Sequence, residues 1–201
     1  MLKYKNKTIR QRSVVFSVLP VLFVLFACSK APERSPLTFA AEHGDLSRVQ
    51  QLVNAGVNVS AKDDKGLDAL SYAIINERPE VVEYLLKHGA NANTENGSGI
   101  TALVIAATVG DFAIIRTLHQ HGAEINRATR DGVTPLMAAA ASDNSQTAAL
   151  LLSYGADPCM RDKNRLTARQ IADQWRGIEE TSRVISRNKK LESLNCPGAD
   201  R

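Results

Sequence analysis

Glycine recurs along this chain at a fixed interval of 33 residues, and that interval restricts the possible folds more than any other feature. Each of Gly56, Gly89, Gly122 and Gly155 follows an apolar run, at the kind of position where a helix ends in a left-handed residue. Only 12 of the 201 residues are glycine, so chance does not account for four of them in one register. The interval therefore predicts a repeat protein whose units stack on their neighbours to bury a shared core.

Three further positions keep the same register and predict two short helices in each unit. Alanine fills the first position in five units, which allows helices to pack closely. Leucine fills the second in four units, and Arg169 replaces it in the fifth, as expected on the open side of a terminal unit. The third position carries a side-chain oxygen that would cap the first helix. The members are Ala40, Ala73, Ala106, Ala139 and Ala172; Leu37, Leu70, Leu103 and Leu136; and Ser35, Asp68, Thr101, Thr134 and Thr167.

These columns resemble those of the ankyrin-repeat family. The T-P-L-H-x-A-A motif of that family is matched by S-P-L-T-F-A-A at Ser35–Ala41, by T-A-L-V-I-A-A at Thr101–Ala107 and by T-P-L-M-A-A-A at Thr134–Ala140. Its G-A-D-x-N motif is matched by G-V-N-V-S, G-A-N-A-N, G-A-E-I-N and G-A-D-P-C, the last of which ends at Cys159. The match extends over about Arg34–Lys190.

The resemblance implies an all-α fold. We expect an ankyrin-repeat solenoid of about five 33-residue helix-turn-helix units joined by hairpin-like turns. This domain is predicted to occupy residues 36–190, followed by a C-terminal tail at residues 191–201.

The N-terminal segment has the composition of a secretory leader. Residues 1–12 carry five basic and no acidic side chains, and residues 13–27 are almost entirely apolar but short for a membrane span. The sequence L-F-A-C that ends at Cys28 resembles a bacterial lipobox, whose cysteine becomes lipidated. We predict a cleaved signal peptide at 1–27 and a lipid-anchored linker at 28–35. The alternatives are an ordinary cleaved signal or an uncleaved anchor, with Cys28 incidental.

The location and charge of the mature chain follow from that cleavage. Ser29 is not the aspartate that resembles an inner-membrane retention signal, so we expect an outer-membrane lipoprotein that faces the periplasm. Cleavage removes five of the 25 basic residues and none of the 21 acidic ones, which leaves 20 against 21. Because the basic excess belongs to the leader, we expect no nucleic-acid partner.

The sequence predicts no catalytic site, metal site or cofactor. The histidines His43, His88, His119 and His121 lack the spacing of metal-ligand pairs. His88 and His121 share the position before the stop glycine, where a cation complements the C-terminus of a helix. The chain also lacks a G-x-S-x-G motif and a glycine-rich phosphate loop. We therefore expect a monomeric binding protein and not an enzyme.

The resemblance places partner binding on a concave side built from turn tips and the exposed ends of the first helix of each unit. Several apolar residues there form a row that is typical of a contact strip, although they would equally serve to pad neighbouring repeats. The candidates are His43, Lys65, Leu67, Ile75, Asn76, Ile100, Val109, Arg130, Val133, Ser142, Lys163, Leu166 and Trp175.

A lipid-tethered module of this kind is expected to bind another periplasmic or envelope protein and to inhibit, stabilise or scaffold it. Resemblance to bacterial periplasmic ankyrin proteins also implies an alternative, an immunity protein that neutralises a secreted toxin. A third possibility is a purely structural tether between membrane and wall.

Two cysteines remain in the mature chain besides Cys28. In an oxidising periplasm a bridge between Cys159 and Cys196 would hold the tail against the last repeat. The alternative is a buried, inert Cys159 and an unpaired Cys196.

Overall fold

The structure is a computed structural model that describes residues 35–174. Within that range the chain forms helices and no strand beyond one isolated bridge between Glu95 and Thr101. The all-α prediction is confirmed. The helices are α1 (Pro36–His43), α2 (Leu46–Asn54), α3 (Ala69–Ile75), α4 (Pro79–Lys87), α5 (Ala102–Val109), α6 (Phe112–Gln120), α7 (Pro135–Ala141), α8 (Ser145–Ser153) and α9 (Ala168–Gln174).

The helices alternate between two layers, which we call the inner helices (α1, α3, α5, α7 and α9) and the outer helices (α2, α4, α6 and α8). Each inner helix packs against the next inner helix, and each outer helix packs against the inner helix before it. One inner helix with the outer helix that follows it makes one repeat. Repeats 1 to 4 are complete in this sense, and α9 opens repeat 5.

Side-chain oxygens begin the inner helices where the sequence predicts. Ser35, Asp68, Thr101 and Thr134 each accept a hydrogen bond from the backbone N–H three residues ahead, at 2.8 to 3.2 Å. Proline occupies the first turn of α1, α4 and α7, where no N–H is needed. These local signals explain why such short helices start at fixed positions.

The alanine column lies in the core, at the contact between inner helices. Its five members are at most 3% exposed, and Ala106 in the central repeat is 0% exposed. Larger buried side chains such as Leu70, Ile74 and Leu103 fill the space around them. Arg169, the exception in the leucine column, is exposed and pairs with Asp173 at 3.8 Å.

The turns between repeats are closed by one recurring arrangement. At Asp63, Asn96 and Asp162 the side-chain Oδ1 accepts from the backbone N–H groups two and four residues ahead, at 2.8 to 2.9 Å. Thr129 uses its hydroxyl in the same way for the N–H four residues ahead. Because every turn has the same shape, the tips extend from equivalent places along the array.

Several predicted segments lie outside the described residues: the signal peptide at 1–27, nearly all of the linker at 28–35, and the tail at 191–201. Within residues 35–174, no helix has the length and apolar character needed to cross a membrane.

Candidate functional site

One repeat position places five residues side by side near the C-terminal ends of the inner helices, and four of them are exposed. We call this set the inner-helix row. Ile75 is 43% exposed, and the members in repeats 3 to 5 are also exposed, whereas the member in repeat 1 is half-buried. Only the member in repeat 1 is charged, so the rest of the row is neutral. The row consists of Glu42, Ile75, Thr108, Ala141 and Gln174.

At the next position along the inner helices, some of the candidate side chains make contacts within their own repeat. The side-chain amide of Asn76 donates to the carbonyl oxygen of Tyr72 at 2.9 Å. The His43 ring lies over Phe39, with ring centroids 4.2 Å apart. Val109 is half-buried, and Ser142 is exposed. Ser142 therefore extends the neutral surface of the inner-helix row.

The apolar candidates in the hairpin turns are less exposed than Ile75 in α3. Leu67, Ile100, Val133 and Leu166 are all half-buried. Ile100, Val133 and Leu166 pack against the core. For these three the structure shows the padding role that the sequence left open as an alternative, and they add little apolar area to the exposed surface.

The basic candidates lie at the hairpin tips, and two of them are held by neighbouring repeats. Lys163 Nζ is 2.8 Å from Asp131 Oδ1. The aliphatic part of the Arg130 side chain packs against Gly99. A β-carbon added to Gly99 would lie only 2.6 Å from Arg130 Cγ. Lys65 is exposed. Of the three basic candidates, Lys163 is therefore ion-paired with the neighbouring tip, and the Arg130 stem packs against the turn of another.

A polar cleft of about 300 Å³ lies between the loops that follow the outer helices of the first repeats. Two of its charged residues, Glu95 and Arg127, are paired with each other. Arg127 Nη2 and Nη1 bind carboxylate oxygens of Glu95 at 2.7 Å and of Glu124 at 3.0 Å, and these bonds raise the pKa of Arg127. The cleft depends on bonds between repeats, such as the Arg127–Glu95 pair, and these cannot be predicted from the sequence of one repeat. It is lined by Ser60, Lys62, Asp68, Asn91, Asn93, Thr94, Glu95 and Arg127.

The histidines take structural positions. His88 and His121 are the C-cap residues of α4 and α6. The His88 ring stacks on Tyr84 at 3.9 Å, and the His119 ring stacks on Tyr154 at 4.1 Å. Among the described residues no three His, Cys, Asp or Glu side chains are placed to hold a metal ion.

Cys159 is half-buried and disulfide-bonded in the structure. Its predicted partner Cys196 lies outside the described residues, as do Cys28 and the binding candidate Trp175.

Comparison with known proteins gives one family. The family model for ankyrin repeats (3 copies) matches residues 16–96 and 90–162. No curated protein matches the chain.

Proposed function

This chain belongs to the ankyrin-repeat family, and from that premise we propose that it is a lipid-tethered interaction module that binds and regulates another protein of the bacterial envelope. Ankyrin repeats generally mediate protein–protein interaction, and proteins of the family are typically non-catalytic. The proposal adds to this a location, an anchor and a binding surface.

The observation that carries the proposed surface is the neutral character of the inner-helix row. Ile75, Thr108 and Ala141 occupy equivalent positions on consecutive inner helices that pack together, and all three are exposed. A surface with few charges loses little hydration energy when a partner covers it, and an exposed isoleucine gains from burial. We propose that a partner segment lies along this row.

The location and the anchor are supported by sequence features. A basic segment, an apolar run of 15 residues and a lipobox-like ending at Cys28 stand in the order of a lipoprotein signal. The near-neutral charge left after removal of residues 1–27 favours a protein partner over a nucleic acid.

Co-purification from envelope extracts tests the binding surface. The tagged full-length protein is recovered, and its partners are identified by mass spectrometry. Ile75→Asp should reduce recovery of a specific partner by about tenfold, because it buries a charge at the contact. The matched control is Val57→Asp, a change at another exposed apolar residue, 36% exposed and outside the inner helices. Equal recovery of every partner with the two variants would reject this surface and favour the structural tether.

The identity of the recovered protein separates the regulatory roles. A resident envelope enzyme or complex supports inhibition or stabilisation. A toxin delivered from another cell supports the immunity alternative, which predicts that loss of this chain sensitises the cell to that toxin.

The anchor is tested by Cys28→Ser. The variant should accumulate as uncleaved precursor or leave the outer-membrane fraction, because each buried methylene of an acyl chain contributes about 0.8 kcal/mol of membrane affinity. Unchanged processing and fractionation would reject lipidation and leave the binding surface as a separate question.

A further inference from the structure

Repeat 1 exposes positions that are more deeply buried in the later repeats. Phe39 is 58% exposed, whereas Tyr72 at the same position of repeat 2 is 4% exposed. Leu52 is half-buried, whereas its equivalents Leu85 and Leu118 are 0% exposed. In the later repeats these positions are covered by the repeat before. The face therefore points toward the start of the array.

We call this surface the N-terminal face, and its composition differs from that of a core contact. Arg48 is exposed at the position where Val81 and Ile114 are at most 1% exposed. An ordinary preceding repeat would leave this guanidinium buried without compensation, which is costly. The face is therefore suited to contact with a surface that can accommodate both an aromatic ring and a cation. It consists of Pro36, Phe39, Arg48 and Leu52.

The polar residues of this end of repeat 1, among them His43 and Arg48, are exposed to solvent. The His43 ring lies 4.2 Å from the Phe39 ring, and Arg48 Nη1 donates to Gln51 Oε1 at 3.1 Å. Asp45 is the N-cap of α2, and its carboxylate accepts from the Arg48 backbone N–H at 2.9 Å. An exposed aromatic ring and an exposed arginine on one face are a combination that favours the headgroup region of a bilayer.

The length of the linker limits how far this face can be from the membrane. Seven residues, Ser29 to Ser35, separate Cys28 from the start of α1. Even when fully extended they span only about 25 Å. If Cys28 is acylated, the N-terminal face is the part of the described array that is closest in sequence to the bilayer.

We propose that the N-terminal face rests on the bilayer that holds the acyl chains of Cys28, with Phe39 inserted among the headgroups. The inference rests on the proposed lipid anchor. Because successive inner helices stack on one another, the later repeats are then directed away from the lipid. Membrane contact at one end leaves the inner-helix row available to a partner.

Depth-dependent fluorescence quenching tests this contact in the mature lipoprotein, purified from membranes and reconstituted into phosphatidylethanolamine and phosphatidylglycerol vesicles. The chain has one tryptophan, which is replaced by Trp175→Phe. Phe39→Trp is introduced into that background as the probe, and Ile75→Trp serves as the matched control on the inner-helix row. Mass spectrometry of the N-terminal peptide reports separately whether Cys28 is acylated.

We expect blue-shifted emission from the Phe39→Trp probe and loss of its intensity when lipids brominated near the headgroup are included, with neither effect for Ile75→Trp. An acylated protein whose two probes are both unquenched would overturn the inference and leave the anchor intact. Blue-shifted but unquenched emission would also overturn it, because protein then covers the face; light scattering would show whether a second copy does so. An unacylated Cys28 would remove the anchor and this inference, but not the binding surface.

Discussion

The side-chain amide of Asn93 in repeat 2 donates to the carbonyl oxygen of Gly122 in repeat 3 at 3.0 Å. The Oδ1 of Asn93 also accepts from the Glu124 N–H at 2.8 Å. Asn126 makes the same two bonds one repeat later, at 3.3 and 2.8 Å. This asparagine ladder joins the ends of successive outer helices, and Ser60 interrupts it in repeat 1, where it lines the polar cleft.

Restoring the missing asparagine should stabilise the array. In Ser60→Asn the new amide reaches the Gly89 carbonyl and the Asn91 N–H, by analogy with Asn93, and part of the cleft is filled. We expect the free energy of unfolding to rise by about 1 kcal/mol, measured by urea denaturation. The reverse change, Asn93→Ser, should lower it by a similar amount. No gain from Ser60→Asn would mean that repeat 1 does not hold the ladder geometry.

A buried hydroxyl without a partner should cost stability in repeat 4. Thr147 is 0% exposed, and its Oγ1 has no hydrogen-bond partner in the described part of the chain. The equivalent residues of earlier repeats are Val81 and Ile114. Thr147→Val keeps the shape and removes the unsatisfied group, so we expect a gain of about 1 kcal/mol in thermal or urea unfolding.

The control for that substitution is Thr117→Val on the exposed side of α6. The Thr117 hydroxyl donates to the Ala113 carbonyl at 2.8 Å. Its removal should leave stability unchanged or slightly reduced. If both valine variants behave alike, the effect belongs to valine itself and not to the buried hydroxyl.

Arg165 has a left-handed backbone conformation, and the residues at the equivalent position of the other hairpin turns are glycines. Its φ is 63°, and the same turn position is Gly66, Gly99 and Gly132, with φ from 73° to 80°. A side chain in this left-handed region is strained. Arg165→Gly should therefore raise the free energy of unfolding. Glycine gives the unfolded chain more freedom, which offsets part of the gain, so we expect an increase of at most about 1 kcal/mol. Arg165→Ala removes the same charge but retains the β-carbon, and an equal gain from alanine would contradict the strain.

Local signals made the helices predictable from sequence. The second outer helix, α4, has Pro79 in its first turn and ends at Lys87, with His88 as its cap just before Gly89. Proline, cap oxygens and stop glycines act within a few residues, so their effect is visible in the sequence.

Burial of the candidate binding residues was less predictable, because it depends on neighbours one repeat away. Ile75 and Ile100 look alike in sequence, yet Ile75 is exposed and Ile100 packs against the core. The cleft beside Ser60 likewise follows from bonds that join residues about 30 positions apart. A single sequence shows the repeat but not which side chain the next repeat covers.

The disulfide at Cys159 gives a prediction for the end of the chain. Cys196 follows Cys159 by 37 residues, and closing a loop of that size should contribute about 3–4 kcal/mol. Peptide mapping without reductant, on protein exported to the periplasm, should recover the Cys159 and Cys196 peptides joined. Cys196→Ser should lower stability under oxidising conditions and have no effect in reductant. Two alkylatable thiols in the mature repeat domain would contradict the pairing.

Asp63 links the stability of the first hairpin turn to pH. Burial alone would raise the pKa of this carboxyl, but the Tyr72 hydroxyl at 2.6 Å and the N–H groups of Leu67 and Lys65 outweigh it, so the pKa lies below its usual value. A carboxyl whose pKa is lowered on folding stabilises the fold above its unfolded pKa. That stabilisation is lost as the pH falls through the lower, folded-state value.

Asp63→Asn separates the charge from the turn geometry. Asn96 closes the next hairpin with the same two bonds, so an asparagine at position 63 keeps the turn. We expect the variant to be less stable than the wild type at pH 7, and the difference to shrink as the pH falls below about 4, the usual carboxyl range. Urea unfolding of both proteins across this range measures the difference. Because the Tyr72 hydroxyl is the strongest hydrogen bond that lowers the pKa, Tyr72→Phe should raise the Asp63 pKa seen by NMR titration. A difference in stability that stays constant from neutral to acid pH would show that the carboxylate charge has no role in the turn.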